Sequence, residues 1–194
     1  DGGTLIFGDV TPGQTASDNT VYTTGTLDIS GQGAVQITTG GDFSNSLPTP
    51  GDTIPLLEQD DGNILVQLAS GSSVTGSGGN LTLTDQNGNI ISNGGAVSDI
   101  TQNGTIVARG TYDYRLTGGE NSDGLYVNYG LTQVELLGQE SDALVLANEG
   151  RTGSSADLSA KLTGTGELAI DTGEGNTVSL SNLENDYTGT TDIR

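Results

Sequence analysis

Short apolar triplets recur along the chain, each introduced by a turn residue and alternating with polar positions. The pattern appears in TGTLDI, GNILVQL, GNLTL, GTIVA, GELAI and GNTVSL, which begin at residues 24, 62, 79, 104, 166 and 175. A period of two is typical of β-strands, because successive side chains of a strand point to opposite faces. The intervening Gly, Thr, Ser, Asn and Asp favour turns and strands over helix interiors. We therefore predict an all-β chain.

Consecutive triplets follow one another closely, as Leu27 and Ile29 are followed by Val35 and Ile37. Short strands with tight polar turns and few apolar residues suit a solenoid, in which each coil stacks on the next and buries a column of aliphatic side chains. We predict a right-handed parallel β-helix. An antiparallel β-sandwich is the alternative, because it also has regularly spaced short strands. The two Phe, six Tyr and absence of Trp favour the β-helix, since they leave few large aromatic residues for a sandwich core.

Two interruptions divide the predicted helix. Residues 46–62 hold three of the four prolines and are predicted to form a loop, because proline cannot donate to a strand ladder. Residues 1–45 are then N-terminal coils, residues 63–131 irregular coils that include a hairpin, and residues 132–194 C-terminal coils. The whole is interpreted as one β-helical fragment, truncated at both ends, since the final TTDIR reads as a strand that has only begun.

Tyrosines concentrate on both sides of one turn. Tyr112, Tyr114 and Leu116 precede the segment TGGENSDG, and Tyr126 and Tyr129 follow it. Alternating or near-alternating aromatic positions around a Gly-Asn-Asp turn predict a β-hairpin. We expect this hairpin to cap or brace one end of the helix and so to close an otherwise open apolar column.

Two stretches of the chain resemble the passenger regions of bacterial autotransporters, the secreted β-helical adhesins of Gram-negative outer membranes. GTYDYRL and GLYVNYGL, which begin at residues 110 and 124, are similar to the tyrosine-rich hairpin of the family's autochaperone region. The terminal LSNLENDYTGTTDI resembles the passenger-associated repeat, whose pattern is a leucine, an asparagine and then Tyr-Thr-Gly-x-Thr. The residues that match this repeat are Leu183, Asn185, Tyr187, Thr188, Gly189 and Thr191.

The resemblance implies a passenger that is threaded through its own C-terminal outer-membrane barrel and folds at the cell surface from its C-terminal end upward. Stacking of coils needs only contacts between neighbours, so a stable first coil can template the next. The segment would then be a scaffold and a folding element that promotes secretion. Because further coils follow the hairpin, it corresponds either to the terminal autochaperone or to a similar interruption higher in the stem.

A second functional hypothesis is direct adhesion. Ridges of Thr, Ser and Asn on the coil faces could bind a host surface, or like passengers on neighbouring cells, and so promote cell aggregation and biofilm formation. Many weak contacts of this kind become effective when they act together. The two hypotheses are compatible within one adhesin.

The charge of the chain narrows the choice of partners. The formal net charge is −20, from 25 acidic and five basic residues. Arg109, Arg115, Arg151, Lys161 and Arg194 are spread singly, so no basic patch is available to neutralise a phosphate backbone. Nucleic acid and anionic membranes are not expected as partners. No apolar run approaches the ~20 residues of a membrane-spanning helix, and targeting information is expected to lie outside the chain.

The chain lacks the residues that most enzymatic mechanisms require. The chain has no histidine and no cysteine, which excludes Ser/His/Asp triads, thiol nucleophiles and His or Cys metal sites. A polysaccharide-processing β-helix would use paired acids, and Asp60 with Asp61 is the local cluster. Adjacent strand residues point to opposite faces, so this doublet suits a turn better than a catalytic pair. We expect neither an enzyme nor a cofactor.

Two acidic turns are the candidates for calcium binding. DQNGN, at residues 85–89, resembles the start of a calcium loop but lacks the bidentate acid that ends one. GENSDG, at residues 119–124, is acidic enough to attract a cation weakly. An Asx-rich turn and a hairpin tip explain these two segments better than a metal site does.

Overall fold

The computed structural model describes residues 3–10, 21–39, 56–57, 63–92 and 94–194. Strands dominate these ranges, where no α-helix occurs and the two helical turns, Glu140–Asp142 and Gly153–Ala156, are of the 3₁₀ type. The prediction of an all-β chain is confirmed. The strands are β1 Thr4–Val10, β2 Val21–Thr23, β3 Thr26–Asp28, β4 Gly33–Thr39, β5 Asn63–Leu68, β6 Ser73–Thr75, β7 Leu81–Thr84, β8 Ala96–Gln102, β9 Thr105–Thr117, β10 Gly124–Leu136, β11 Leu144–Leu146, β12 Lys161–Gly164, β13 Leu168–Ile170 and β14 Thr191–Ile193.

The strands that precede the tyrosine-rich region pair in parallel. β4 lies between β1 and β7, β2 pairs with β5, and β3 pairs with β6. Val35 of β4 stands opposite Leu5 on one side and Leu83 on the other. Similar residues therefore stack at similar positions. We call strands β1 to β7 the N-terminal ladder.

A second parallel arrangement follows the tyrosine-rich region. β13 lies between β11 and β14, and Leu168 stands opposite Leu144 on one side and Thr191 on the other. Successive strands are thus offset by 24 and 23 residues along the chain. β12 lies outside this three-stranded sheet and pairs in parallel with the end of β10. We call strands β11 to β14 the C-terminal ladder.

A long hairpin joins the two ladders. β9 and β10, each of 13 residues, pair antiparallel, and β8 adds to the free edge of β9. On its other edge β10 pairs antiparallel with β5 at Tyr126 and parallel with β12 at Val134. At about 3.3 Å per residue, such strands extend for about 40 Å, which is long enough to serve both ladders. β9 and β10 are referred to below as the hairpin.

The apolar residues form two cores, and the hairpin contributes to both. Leu116, Leu125 and Val127 join the N-terminal core, whereas Leu131 and Val134 join the C-terminal core. The sequence predicts a hairpin that caps or braces one end of the helix, whereas in the structure it pairs with strands of both ladders. Because each of its strands is 13 residues long, one hairpin can contact both ladders. The main partners in the N-terminal core are Phe7, Ile29, Val35, Ile37, Leu65, Val66 and Leu83, and those in the C-terminal core are Ile100, Leu144, Leu146, Leu158, Leu162 and Leu168.

Much of the predicted loop at residues 46–62 lies outside the described residues. Only Leu56 and Leu57 of that segment are described, and Leu57 is buried in the C-terminal core. Within the predicted N-terminal coils, residues 3–10 and 21–39 are described.

One predicted strand is reduced to a single bridge. The segment GNTVSL pairs only at Ser179, which forms a parallel bridge with Asp157. The side chain of Asp157 accepts hydrogen bonds from the Ser179 hydroxyl and from the backbone N–H of Ser181. A side chain therefore takes over part of the bonding that a ladder would provide.

Candidate functional site

The four tyrosines that the sequence places around one turn all lie in the hairpin. Tyr114 and Tyr129 stand opposite each other in register, and their rings meet edge to face with centroids 5.5 Å apart. Tyr126 is buried and donates a hydrogen bond to Oδ1 of Asp123 at 2.6 Å, which holds the start of β10 against the turn. Leu116 is almost fully buried in the N-terminal core. The aromatic pair thus marks the boundary between the two cores.

Tyr112 lies on the C-terminal side of that boundary. Its side chain is buried in the C-terminal core, and its hydroxyl has no hydrogen-bond partner among the described residues. Burial raises the pKa of Tyr112 to about 12, because the charged phenolate would lose its solvation. Tyr112 is therefore held neutral at physiological pH.

Arg115 occupies the same boundary from the opposite face of β9. Its Nε donates to Oδ1 of Asn128 at 3.0 Å, and its Nη1 donates to the backbone oxygen of Leu131 at 3.3 Å and to Oγ of Ser159 at 3.4 Å. A Cβ atom at Gly130 would lie 2.6 Å from the Nε atom, so a side chain there would force the guanidinium to move. Arg115 thereby connects both strands of the hairpin to the segment before β12.

A partly buried chain of polar groups links the two ladders beside Arg115. Ser77, in the turn between β6 and β7, has its Oγ 2.9 Å from Oγ of Ser181. The Ser181 hydroxyl and the Ser179 hydroxyl each donate to the Asp157 carboxylate at 2.6 Å, and the Ser181 N–H donates to it at 3.0 Å. Ser77 and Asp157 are only 2% and 3% exposed. A carboxylate at this depth depends on such donors.

Asn80 adds a second connection between the same segments. Its Nδ2 donates to the backbone oxygen of Ser181 at 3.1 Å, and its Oδ1 accepts from the N–H of Leu183 at 3.0 Å. The side-chain amide thus replaces a strand partner. A Cβ atom at the neighbouring Gly79 would lie 2.7 Å from Cβ of Ser159, so the two segments pack in close contact. We call Ser77, Asn80, Asp157, Ser159 and Ser181 the polar seam.

The predicted repeat motif contacts β12 through its backbone and one amide. Oδ1 of Asn185 accepts from the N–H of Leu162 at 2.7 Å. The N–H of Thr188 donates to the backbone oxygen of Gly164 at 2.9 Å. Leu183, in contrast, is 65% exposed and does not enter the core. The asparagine of the motif therefore has a clear structural role, and its leucine lies on the surface.

The remaining motif residues shape the turn before β14. The Tyr187 ring packs on the C-terminal core, and its hydroxyl lies 2.7 Å from Oγ1 of Thr191. A Cβ atom at Gly189 would overlap the backbone oxygen of Gly166, and one at Gly166 would overlap the backbone of Leu136 and Leu137. Glycines therefore stack where successive turns approach most closely.

The candidate calcium turn is occupied by its own hydrogen bonds. Oδ1 of Asp85 accepts from the N–H groups of Asn87 and Asn89, and its Oδ2 accepts from the Asn89 amide. The hydrogen bond from the Asn89 N–H contributes most to lowering the pKa of Asp85 below its ordinary value. Asp60 and Asp61 lie outside the described residues. Among those described, no group of three acids is placed to hold a metal ion.

Three of the basic side chains are paired with acids on the surface. Arg109 bridges Asp99 on β8, at 3.7 Å, and Glu135 on β10, at 3.2 Å. Lys161 contacts Asp186 at 2.7 Å, and Arg194 contacts Asp192 at 2.8 Å. Since these cations already have acidic partners, they add little attraction for an external anion.

Sequence reasoning missed Arg115 and the polar seam. Arg115 occupies a polar position in the alternation of Tyr112, Tyr114 and Leu116, so nothing in the local sequence distinguishes it from an ordinary surface cation. The hydroxyl and amide groups of the seam have no local signal either, because Ser77 and Ser181 are 104 residues apart.

Comparison with known proteins identifies two similar chains in Escherichia coli (strain K12). An uncharacterized protein, YuaQ, is 48% identical over 196 residues, and an uncharacterized lipoprotein, YdeK, is 39% identical over 208 residues. Each match covers 100% of this chain but only 14% and 15% of those proteins, so the chain spans about one seventh of their length. No model of a known protein family matches the chain, and no solved structure matches it.

In the described ranges, no helix has the length and apolar character needed to cross a bilayer.

Proposed function

We propose that this chain is a segment of the passenger of a Gram-negative autotransporter adhesin and is folded as a right-handed parallel β-helix. In this proposal the ladders are a scaffold for surface display, and the hairpin is an autochaperone-like element that promotes folding and secretion. The observation that carries the proposal is that one hairpin supplies side chains to both cores.

Parallel pairing supports the β-helical part of the proposal. Strands that pair in parallel need a long connection between them, and here residues separated by 23 or 24 positions stand opposite each other. Each such interval is long enough for one coil of a solenoid. The stacked glycines at Gly166 and Gly189 agree with coils in close contact.

The hairpin is suited to nucleate the fold. Its strands are consecutive in sequence and its contacts are largely local, so it can form before either ladder is complete. Once formed, it presents apolar side chains on which strands from both ladders can pack. A passenger that folds outside the cell, without ATP, benefits from such a surface.

A location at the cell surface follows from the same proposal. One relative carries the word lipoprotein in its name, which fits the cell envelope. A strand-rich chain with a net charge of −20 also resists association with its own copies while it is unfolded. The partners proposed are the C-terminal barrel of the same protein and, for the adhesin as a whole, a host surface or like passengers.

We propose no catalytic role for the polar seam. Asp157 and Ser77 resemble a reactive acid and hydroxyl, but both are almost fully buried, and Asp157 accepts three hydrogen bonds from its own chain. A substrate would have no access to them.

The first test of the proposed function deletes residues 110–131 from the full-length parent on its host cell. We expect passenger at the surface to fall severalfold, measured by antibody labelling of intact cells and normalised to total protein. A finer variant replaces Tyr114 and Tyr129 by leucine, with Tyr22→Leu as the control because Tyr22 is 69% exposed. Only the hairpin pair should reduce display.

The same experiment distinguishes the alternative function. Adhesion and clumping are measured per displayed molecule. Unchanged display together with reduced adhesion would refute a role in secretion and would assign the hairpin region to the binding surface itself.

A further inference from the structure

Arg115 lies where three parts of the chain meet. Tyr112, three residues earlier, packs in the C-terminal core, and Leu116, the next residue, packs in the N-terminal core. The guanidinium is half-buried and binds Asn128 on the partner strand and Ser159 in the C-terminal ladder. Its position therefore couples the hairpin to coils that come later in the chain.

The site is built for a planar guanidinium. Asn128 is 7% exposed, so its side-chain amide needs hydrogen-bond partners at this depth, and the Nε–H of Arg115 is one of them. Gly130 provides the space over which the guanidinium lies. Lysine would keep the charge, but a single ammonium cannot reproduce a fork of donors in fixed directions.

The contacts of Arg115 are also more local than the hydrogen bonds by which Ser77 and Asn80 of the polar seam join the two ladders. Its hydrogen bonds to Asn128, Leu131 and Ser159 span 13, 16 and 44 residues. Ser77 and Ser181 are 104 residues apart, and Asn80 and Leu183 are 103 residues apart. The entropic cost of loop closure rises with this separation. The Arg115 contacts therefore form more easily than the Ser77–Ser181 and Asn80–Leu183 hydrogen bonds.

We propose that Arg115 is the positioning residue that docks the segment before β12, and with it the C-terminal ladder, onto the folded hairpin. The hydrogen bonds that join Ser77 to Ser181 and Asn80 to Leu183 then form only afterwards. This inference rests on the folding role proposed for the hairpin and assigns one step of it to a side chain. Arg115 contacts then form in the rate-limiting transition state, whereas contacts of Ser77 form after it.

The test compares refolding and unfolding rates of the full 194-residue chain. Four of its six tyrosines lie in the hairpin, so tyrosine fluorescence in a stopped-flow experiment reports mainly on the hairpin, and circular dichroism reports on the ladders. We expect Arg115→Met to slow refolding about tenfold and to leave unfolding within about twofold. Ser77→Ala, the matched control, should speed unfolding and leave refolding unchanged.

Two results would overturn the inference. One is an Arg115→Met chain that refolds at the normal rate and only unfolds faster, as expected of a contact made late. The other is an Arg115→Lys chain that behaves like the wild type, since charge alone would then suffice. If the Met chain does not fold, Arg115→Lys carries the comparison, with slower refolding expected.

The outcome is separable from that of the proposed function. Normal surface display after deletion of residues 110–131 refutes the folding role of the hairpin whatever the rates show. Loss of display after that deletion, with normal refolding of Arg115→Met, retains the role of the hairpin and removes Arg115 from it.

Discussion

The hydroxyl of Tyr112 is buried among aliphatic side chains of the C-terminal core without a partner among the described residues. Burial therefore disfavours the charged form, and the nearby charge of Arg115 offsets only part of this effect on the pKa. The same ring is well packed, which explains why an aromatic residue is suited to the position. The hydroxyl itself adds nothing that the structure requires.

A pH dependence follows from this burial. The ordinary tyrosine pKa is about 10, and that of Tyr112 is about 12 in the folded chain. Between these values the unfolded chain releases a proton that the folded chain keeps, so stability is complete below about pH 10 and falls as the pH rises toward 12. Thermal unfolding followed by circular dichroism from pH 7 to 12 should show a falling Tm.

Tyr112→Phe should flatten this decline and leave the Tm at pH 7 unchanged or higher. Tyr22→Phe is the control, because Tyr22 lies largely in solvent. A decline of full size in the Tyr112→Phe chain would show that other groups cause it.

Among the elements, the turn before β14 depends most on the absence of a side chain. Gly189 lies directly against the backbone of Gly166, and its backbone is not in the left-handed region, so crowding alone requires glycine. We expect Gly189→Ala to destabilise the chain by about 1–3 kcal/mol through this crowding. Denaturant unfolding measures the difference.

Gly31→Ala is the matched control for that variant. A Cβ atom at Gly31 meets nothing within 4 Å, and its φ is also not in the left-handed region. Equal stability of the two alanine variants would contradict the idea that close contact between turns fixes the glycine.

The strands show how far sequence alone can go. The apolar triplets predicted β5 from GNILVQL, β7 from GNLTL and β13 from GELAI. Alternation did not predict their burial, because consecutive residues of β5 from Asn63 to Val66 are all buried. The strand prediction failed at GNTVSL, where the Asp157 side chain accepts hydrogen bonds from Ser179 and Ser181. A distant side chain caused that failure, and no local pattern records it.

The residues of the candidate site were likewise predictable from the sequence only in part. Tyr114 and Tyr129 could be predicted because they flank one turn, and Asn185 because it belongs to a recognisable motif. The polar seam could not, since its members are common surface residues until segments about 100 positions apart come together. Burial in the tertiary structure, rather than residue type, gives Ser77 and Asp157 their role.

At the scale of the whole molecule, the shared hairpin should make unfolding cooperative. Ile37 in the N-terminal core and Leu168 in the C-terminal core are both fully buried, so Ile37→Ala and Leu168→Ala should each cost about 2–5 kcal/mol. We expect either variant to lower one common transition and to reduce hydrogen-exchange protection in both ladders. Two separate transitions, each sensitive to one substitution, would show that the cores are independent.

The change from parallel to antiparallel pairing at the hairpin also limits how far the misalignment of one strand can spread. A strand added to a parallel ladder inherits the alignment of the strand before it, and a slip of one residue turns its apolar side chains outward. The hairpin takes its alignment from its own turn and pairs with β5 in the opposite direction. A misaligned strand on one side therefore leaves the alignment of the strands on the other side unchanged.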